Sequence, residues 1–79
     1  MSVEAYVLVQ VQVGFLEDAL SRLRGLPAVT GAQAVSGPYD LIAQVEAADL
    51  SALSQAVLAE IRGLPGVAKT VTCVVTGAE

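Results

Sequence analysis

The first stretch of the chain alternates apolar and less apolar positions with a period of two. Every odd position from 3 to 13 is Val or Ala, and Gln10 and Gln12 lie between them. Such alternation predicts a β-strand over 3–13 with one face in a core. The other face is only partly polar, because it also carries Tyr6 and Leu8. We therefore expect this second face to be covered as well.

Two later segments carry helical spacing of apolar residues. The positions are Phe15, Leu16, Ala19, Leu20 and Leu23 in the first segment, and Leu50, Leu53, Val57 and Ile61 in the second. Asp49 is expected to cap the second helix. The first helix has acidic residues in its first turn and arginines in its last, which complements the helix dipole. Gly25 is expected to end it in a left-handed conformation, and the second is expected to end at Gly63.

The remaining segments predict three further strands. An Ala-rich strand over 29–35 and a strand over 40–47 flank the turn Ser36-Gly37-Pro38-Tyr39, which predicts a hairpin. The last strand is predicted over 67–76. Alternation along this strand predicts two opposite faces. One face carries Val67, Val71, Cys73 and Val75, and the other carries Thr70, Thr72, Val74 and Thr76.

The end of each predicted helix and the turn after it form a repeat. Arg24-Gly25-Leu26-Pro27-Ala28-Val29 recurs as Arg62-Gly63-Leu64-Pro65-Gly66-Val67, an offset of 38 residues in a chain of 79. This indicates two half-units within a single domain over residues 1–79. The order β-α-β-β-α-β is typical of a ferredoxin-like α+β fold. We expect a four-stranded antiparallel sheet, its first and third strands central, with both helices on one face.

The face opposite the helices is expected to carry Tyr6, Leu8, Ile42, Val74 and threonines. It is too apolar for water, so the sequence predicts a dimer formed sheet to sheet. Composition points the same way, because 54% of the residues are apolar and only 15% are charged. Neither a membrane span nor a signal peptide is predicted, and we expect a cytoplasmic protein with no membrane partner.

Charge and residue content exclude several kinds of chemistry. The chain has no histidine, which removes Ser-His-Asp and Cys-His catalysis and the commonest metal ligand. A net charge of −4 opposes direct nucleic-acid binding. The single cysteine, Cys73, lies in an apolar run and is expected to be a buried, inert thiol. No enzyme activity, catalytic residue, metal or cofactor is predicted.

A family resemblance covers essentially the whole chain. Its residues are Val35-Ser36-Gly37-Pro38-Tyr39-Asp40-Leu41-Ile42, then Val45, Asp49, Leu53 and Ile61, then Leu64-Pro65-Gly66-Val67 and Thr70-Val71-Thr72. The chain resembles the effector-binding module, or RAM domain, of the Lrp/AsnC (feast/famine) transcriptional regulators. In that family the module follows a helix-turn-helix DNA-binding domain. This chain opens directly with its first strand, so we expect a stand-alone RAM module.

The resemblance implies a homodimer, rings of dimers, and a small effector, usually an amino acid, bound between dimers near the hairpin. The ligand-binding residues it implies are Gly37, Tyr39, Asp40 and Leu41, with Thr70 and Thr72 on the last strand. A Gly-containing turn offers N–H groups to a carboxylate, and Asp40 suits an ammonium. The partner chain is expected to be a full-length Lrp/AsnC regulator or an enzyme.

Each of these residues also has a purely structural interpretation. Gly37 can supply a positive φ in the turn, Tyr39 can cover the sheet edge, and Asp40 can bond neighbouring backbone in an Asx-type turn. Strand threonines follow from β-propensity alone. Two other functions also remain open: a small dimeric α+β barrel enzyme, and an ACT-like regulatory or structural module. The former generally needs His, Asn or Trp, which are missing; the latter carries its site after the first strand, where only Val13-Gly14-Phe15 is found.

Overall fold

The computed structural model describes residues 2–76, so residues 1 and 77–79 of the predicted domain lie outside the described part. Its elements are β1 (Val3–Val11), α1 (Leu16–Arg24), β2 (Val29–Ala34), β3 (Leu41–Ala47), α2 and β4 (Val67–Val74). Helix α2 spans 50–62 and consists of Leu50–Ala52, a π-helical turn Leu53–Val57 and Leu58–Arg62. The ferredoxin-like order β-α-β-β-α-β is confirmed.

The four strands form one antiparallel sheet in the order β2-β3-β1-β4. The first and third strands are therefore central, as predicted. In register, Val7 of β1 lies opposite Ala43 of β3 on one side and Thr72 of β4 on the other. Strand β1 is shorter than expected, because Val13 lies beyond its end and is fully exposed.

The core lies between the sheet and the two helices. From the sheet it takes Ala5, Val7, Val9, Ala32, Leu41, Ala43 and Val45, and from the helices Ala19, Leu23, Leu53, Val57, Leu58 and Ile61. Both helices therefore pack on the same face of the sheet. Leu50, expected on the buried side of α2, is instead 59% exposed. Asp49 caps the helix as predicted, since its Oδ1 accepts a hydrogen bond from Ala52 N at 2.8 Å.

Both helices end at the predicted glycines, but the first does not end in the predicted conformation. Gly25 has φ −86° and Gly63 has φ −81°, so both are right-handed and the expected left-handed stop at Gly25 is wrong. The chain instead leaves α1 through successive tight turns, in which Leu26 N bonds to Leu23 O and Val29 N to Leu26 O. The same two bonds recur after α2, between residues 64 and 61 and between 67 and 64.

Each edge strand carries a β-bulge at the same point of the repeat. On β2, Val29 lies opposite Val45 but Gly31 lies opposite Gln44, so Thr30 is the extra residue. On β4, Val67 lies opposite Val11 but Lys69 lies opposite Gln10, so Ala68 is extra. Thr30 and Ala68 are separated by the same offset of 38 residues. The repeat thus preserves an irregularity of the strands as well as the helix ends.

The bulge at Ala68 corrects the expected faces of β4. An extra residue shifts the alternation, so Val67 faces the helices while Lys69, Val71 and Cys73 face the other way. Thr70, Thr72 and Val74 lie beside the core residues of β1 and are on the helix side. The prediction that Val74 and the threonines lie on the face opposite the helices is therefore wrong.

The face opposite the helices is called the open face below. It consists of Glu4, Tyr6, Leu8 and Gln10 of β1, Ile42, Gln44 and Glu46 of β3, Gly31 and Gln33 of β2, and Lys69, Val71 and Cys73 of β4.

Among residues 2–76, no helix is long and apolar enough to cross a membrane.

Candidate functional site

The loop joining β2 and β3 spans 35–40 and projects from one end of the sheet. A backbone hydrogen bond from Val35 N to Asp40 O, at 2.9 Å, closes it. Gly37 has φ +150°, a conformation that residues with a side chain rarely adopt. Ser36, Gly37 and Pro38 are all exposed at the tip. The loop therefore has a fixed base and an accessible, glycine-containing tip.

Asp40 fixes the second arm of this loop to the central strand. Its backbone N donates to Val9 O at 2.9 Å, and its Oδ2 accepts from Val11 N at 3.0 Å. The carboxylate thus stands in for a strand carbonyl at the end of the β3–β1 ladder. The Asx-type interpretation, with partners in the turn itself, is wrong, because the partner is 29 residues away. An ionised carboxylate has further acceptor capacity, which a ligand ammonium can use.

The other hairpin candidates differ in accessibility. Tyr39 is half-buried at the base of the loop. Leu41 is fully buried in the core and lies in the sheet between Val9 and Ala34, so its side chain is not accessible to a ligand. Among the four hairpin candidates, Gly37 and Asp40 have the placement best suited to polar recognition.

The two threonine candidates lie on the opposite edge of the sheet. Thr70 is paired with Val9, which is itself paired with Leu41 of β3. Two strand spacings separate Thr70 from Leu41, about 10 Å. Thr72 lies two residues further from the hairpin end, opposite Val7. Within one chain, Thr70 therefore lies at the same end of the sheet as the hairpin, whereas Thr72 lies further along β4. Neither threonine lies against the hairpin.

The open face carries an apolar band between two polar ends. Leu8, Ile42 and Val71 lie side by side across β1, β3 and β4 and are partly buried. Glu4 and Glu46 lie towards one end of the face and Lys69 towards the other. Cys73, expected to be buried, is exposed here next to Tyr6. Its exposure follows from the bulge, which directs it away from the helices.

A groove of about 490 Å³ runs from the open face over the β2 edge. Tyr6 and Gln44 form part of its wall, and Gln44 Nε2 donates to Tyr6 Oη at 3.0 Å. At the rim, the Arg24 side chain donates from Nε and Nη2 to Ala32 O at 3.1 and 3.0 Å. Arg24 thereby covers a backbone acceptor on an edge strand. Within residues 2–76, no three His, Cys, Asp or Glu side chains converge as metal ligands.

This use of Arg24 was not predicted from the sequence, although the repeat contained the information. The offset that aligns the two helix ends also aligns Arg24 with Arg62 and Ala32 with Thr70. A smaller recess, of about 290 Å³, is lined by Arg62, Val67, Ala68, Lys69 and Thr70. It is the counterpart of the β2 edge in the second half of the chain.

Comparison with protein families decides the classification. The model of the Lrp/AsnC ligand binding domain matches residues 4–78 of the chain. The chain belongs to the Lrp/AsnC ligand-binding domain family. The resemblance found in the sequence is thereby confirmed. A search of curated proteins gave no match.

Solved structures agree with this Lrp/AsnC assignment. FFRP-DM1 is 32% identical, with a TM-score of 0.88, covering 94% of this chain and 99% of that one. TTHA0845 from Thermus thermophilus is 31% identical, with a TM-score of 0.90, covering 98% and 96%. This Lrp/AsnC domain is therefore similar in extent as well as in fold to small proteins of known structure.

Longer proteins share the fold. The transcriptional regulator NMB0573 from Neisseria meningitidis, in complex with L-Met, is 22% identical with a TM-score of 0.83. The match covers 95% of this Lrp/AsnC domain and 50% of that chain. The chain thus spans about half the length of that regulator, and the likeness at this identity establishes the fold alone.

Proposed function

We propose that this chain is an effector-sensing module that binds a small molecule, an amino acid by class, at an interface between subunits. The observation that carries the proposal is the hairpin loop 35–40. Its tip is exposed, and its Asp40 carboxylate is held in place by the backbone of β1. A group held this way loses little conformational freedom on binding a ligand.

The chemistry of the loop suits a zwitterion. Backbone N–H groups around Gly37 are available to a carboxylate, and Asp40 offers a negative charge to an ammonium. Membership of a ligand-binding domain family supports this proposal. So does the L-Met complex of the N. meningitidis regulator, which shares the fold.

The assembly in this proposal is a dimer through the open face, with further association into rings. The band formed by Leu8, Ile42 and Val71 supports the dimer, since apolar surface of this kind is normally covered. Rings of dimers bring the hairpin of one subunit towards β4 of another, where Thr70 and Thr72 complete the site. Occupancy and assembly are then thermodynamically coupled. The signal passes to a partner chain, either a full-length regulator or an enzyme.

The test is a thermal-shift screen against the standard amino acids, followed by sedimentation with the strongest hit. Free ligand at about a hundred times its dissociation constant stabilises a protein by about 2.7 kcal/mol. In a domain of this size that corresponds to a rise of several degrees in Tm. If no amino acid changes the Tm or the sedimentation profile, the effector proposal fails.

A matched pair of variants locates the site. Asp40→Asn keeps an oxygen for Val11 N but removes the charge, so it is expected to fold normally and lose affinity for the amino acid. Asp18→Asn removes the same charge from the exposed surface of α1 and is expected to bind as the wild type does. Unchanged affinity in Asp40→Asn would place the ligand elsewhere.

A further inference from the structure

The repeat gives the two edges of the sheet equivalent recesses with different chemistry. The β2 edge is lined by Arg24, Val29, Thr30, Gly31 and Ala32, together with residues of the open face. The β4 recess is lined by Arg62, Val67, Ala68, Lys69 and Thr70, which are the same five positions 38 residues later. Three of the five positions differ, because the second edge has Ala68 for Thr30, Lys69 for Gly31 and Thr70 for Ala32. The hydroxyl donor is thus at position 70 instead of at the bulge, and Lys69 adds a further donor and a positive charge.

The backbone of the β4 edge also presents groups to this recess. Val75 N donates to Glu4 O, which fixes the alternation of the antiparallel β1–β4 ladder. Residues an even number of positions from Val75 direct their N–H and C=O groups towards β1. Thr70 is an odd number away, so its N–H and C=O point outward from the sheet edge.

The cations reach this edge from two sides. Arg62 is the last residue of α2, on the helix side of the sheet. Lys69 lies opposite Gln10 on the open face, because the bulge at Ala68 turns it there. The chain has only four Lys and Arg residues against eight Asp and Glu. Two of those four line one small recess, which concentrates positive charge in an otherwise acidic protein.

On the β2 edge, the arginine that corresponds to Arg62 bonds to its own edge strand. Arg24 donates twice to Ala32 O, the carbonyl that corresponds to Thr70 O. Among residues 2–76, Arg62 makes no such bond to Thr70 and no ion pair. Its guanidinium therefore remains available to an acceptor from outside.

We propose that Arg62, Lys69 and Thr70 form a binding site for a carboxylate group at the β4 edge. The guanidinium and ammonium supply charge-assisted hydrogen bonds, and the Thr70 hydroxyl and N–H add two neutral donors. Two cations suit one or two negative charges, whereas polyanions are opposed by the net charge of −4. The carboxylate comes either from a free small molecule or from an Asp or Glu of a second copy of this chain.

This site is distinct from the hairpin site of the proposed function, because the central strand β1 lies between the β4 edge and Asp40. Thr70 is the one residue named in both. The two proposals can therefore fail independently. Asp40→Asn is expected to leave carboxylate binding at the β4 edge unchanged.

The test is an NMR titration of ¹⁵N-labelled protein with sodium acetate, with sodium chloride at equal ionic strength as the reference. Saturable shifts of the Thr70 and Lys69 amide signals in acetate, absent in chloride, are expected. The double variant Arg62→Gln, Lys69→Gln is expected to weaken acetate binding by about tenfold or more. Arg24→Gln, the repeat-equivalent control, is expected to bind acetate as the wild type does.

Sedimentation distinguishes the two sources of the carboxylate. If a second copy supplies it, wild-type association is weakened both by acetate and by the double variant. If a free molecule supplies it, acetate binds while association is unchanged. If acetate shifts neither amide signal beyond the chloride reference, and the double variant associates as the wild type does, the site does not exist.

Discussion

The Oδ2 atom of Asp40 accepts a hydrogen bond from the backbone N of Val11 at 3.0 Å. This bond joins the β2–β3 hairpin to the end of the central strand β1. The Asp40 side chain thus has two roles, because it completes the end of the sheet and carries the negative charge proposed to bind an effector.

The two roles of Asp40 can be separated by substitution. Asp40→Ala leaves a partly buried N–H without its acceptor, and the free energy of unfolding is expected to fall by about 1 to 3 kcal/mol. Asp40→Asn retains an acceptor and is expected to lose less than about 1 kcal/mol. Urea denaturation of both variants measures the difference. Equal losses would show that the carboxylate charge, rather than the bond to Val11, stabilises the hairpin.

Gly66 is required where β4 begins. Its φ is +83°, and a Cβ there would overlap the ring of Phe15. Gly66→Ala is therefore expected to destabilise the fold by about 2 kcal/mol or more. The control is Gly63→Ala, where φ is right-handed and a Cβ would lie 3.4 Å from Ala59 O. We expect thermal melting to show Gly63→Ala unchanged or slightly stabilised; a Gly66→Ala variant as stable as the wild type would contradict the close packing of Phe15.

Arg24 is expected to stabilise the β2 edge through its two bonds to Ala32 O. Arg24→Gln should lower the free energy of unfolding by about 1 kcal/mol. Arg22→Gln removes the same charge two residues earlier but breaks only an ion pair with Asp18, in which both side chains are about half exposed. That change is expected to cost less than about 0.5 kcal/mol. Chemical denaturation of the pair checks the ranking, and similar losses would mean that the bonds to Ala32 contribute little.

Leu8 lies at the centre of the apolar band on the open face. Leu8→Lys places a charge between Ile42 and Val71, so the proposed dimer is expected to dissociate and the Tm to fall. Gln12→Lys, just beyond β1 and exposed, makes the same change of charge outside the face and is the control. Sedimentation velocity at micromolar concentration reports the species present. A wild-type protein that is already monomeric would rule out the open-face dimer.

The local patterns of the chain predicted most of the fold. Alternation over 3–13 and the spacing of Leu53, Val57 and Ile61 placed the strand and the buried side of the second helix, because both depend on near neighbours. The repeat of Arg-Gly-Leu-Pro located both helix ends. It did not reveal their conformation, since a right-handed and a left-handed glycine are identical in sequence.

The face of each β4 residue could not be read from alternation. A single extra residue at Ala68 reverses the direction of every side chain that follows, and nothing in the local sequence marks it. Cys73 was for this reason expected in the core and lies on the open face. The bulge becomes recognisable only when β4 is paired with β1.

The sequence by itself determined the fold class, the family and the chemistry that the chain lacks, because these follow from composition, spacing and motif. Tertiary structure decided which groups meet. Asp40 bonds to Val11 from 29 residues away, Arg24 covers the β2 edge, and Arg62 and Lys69 approach the β4 edge from opposite faces. These relationships depend on strand pairing and on the bulges, which bring together residues that the linear order keeps apart.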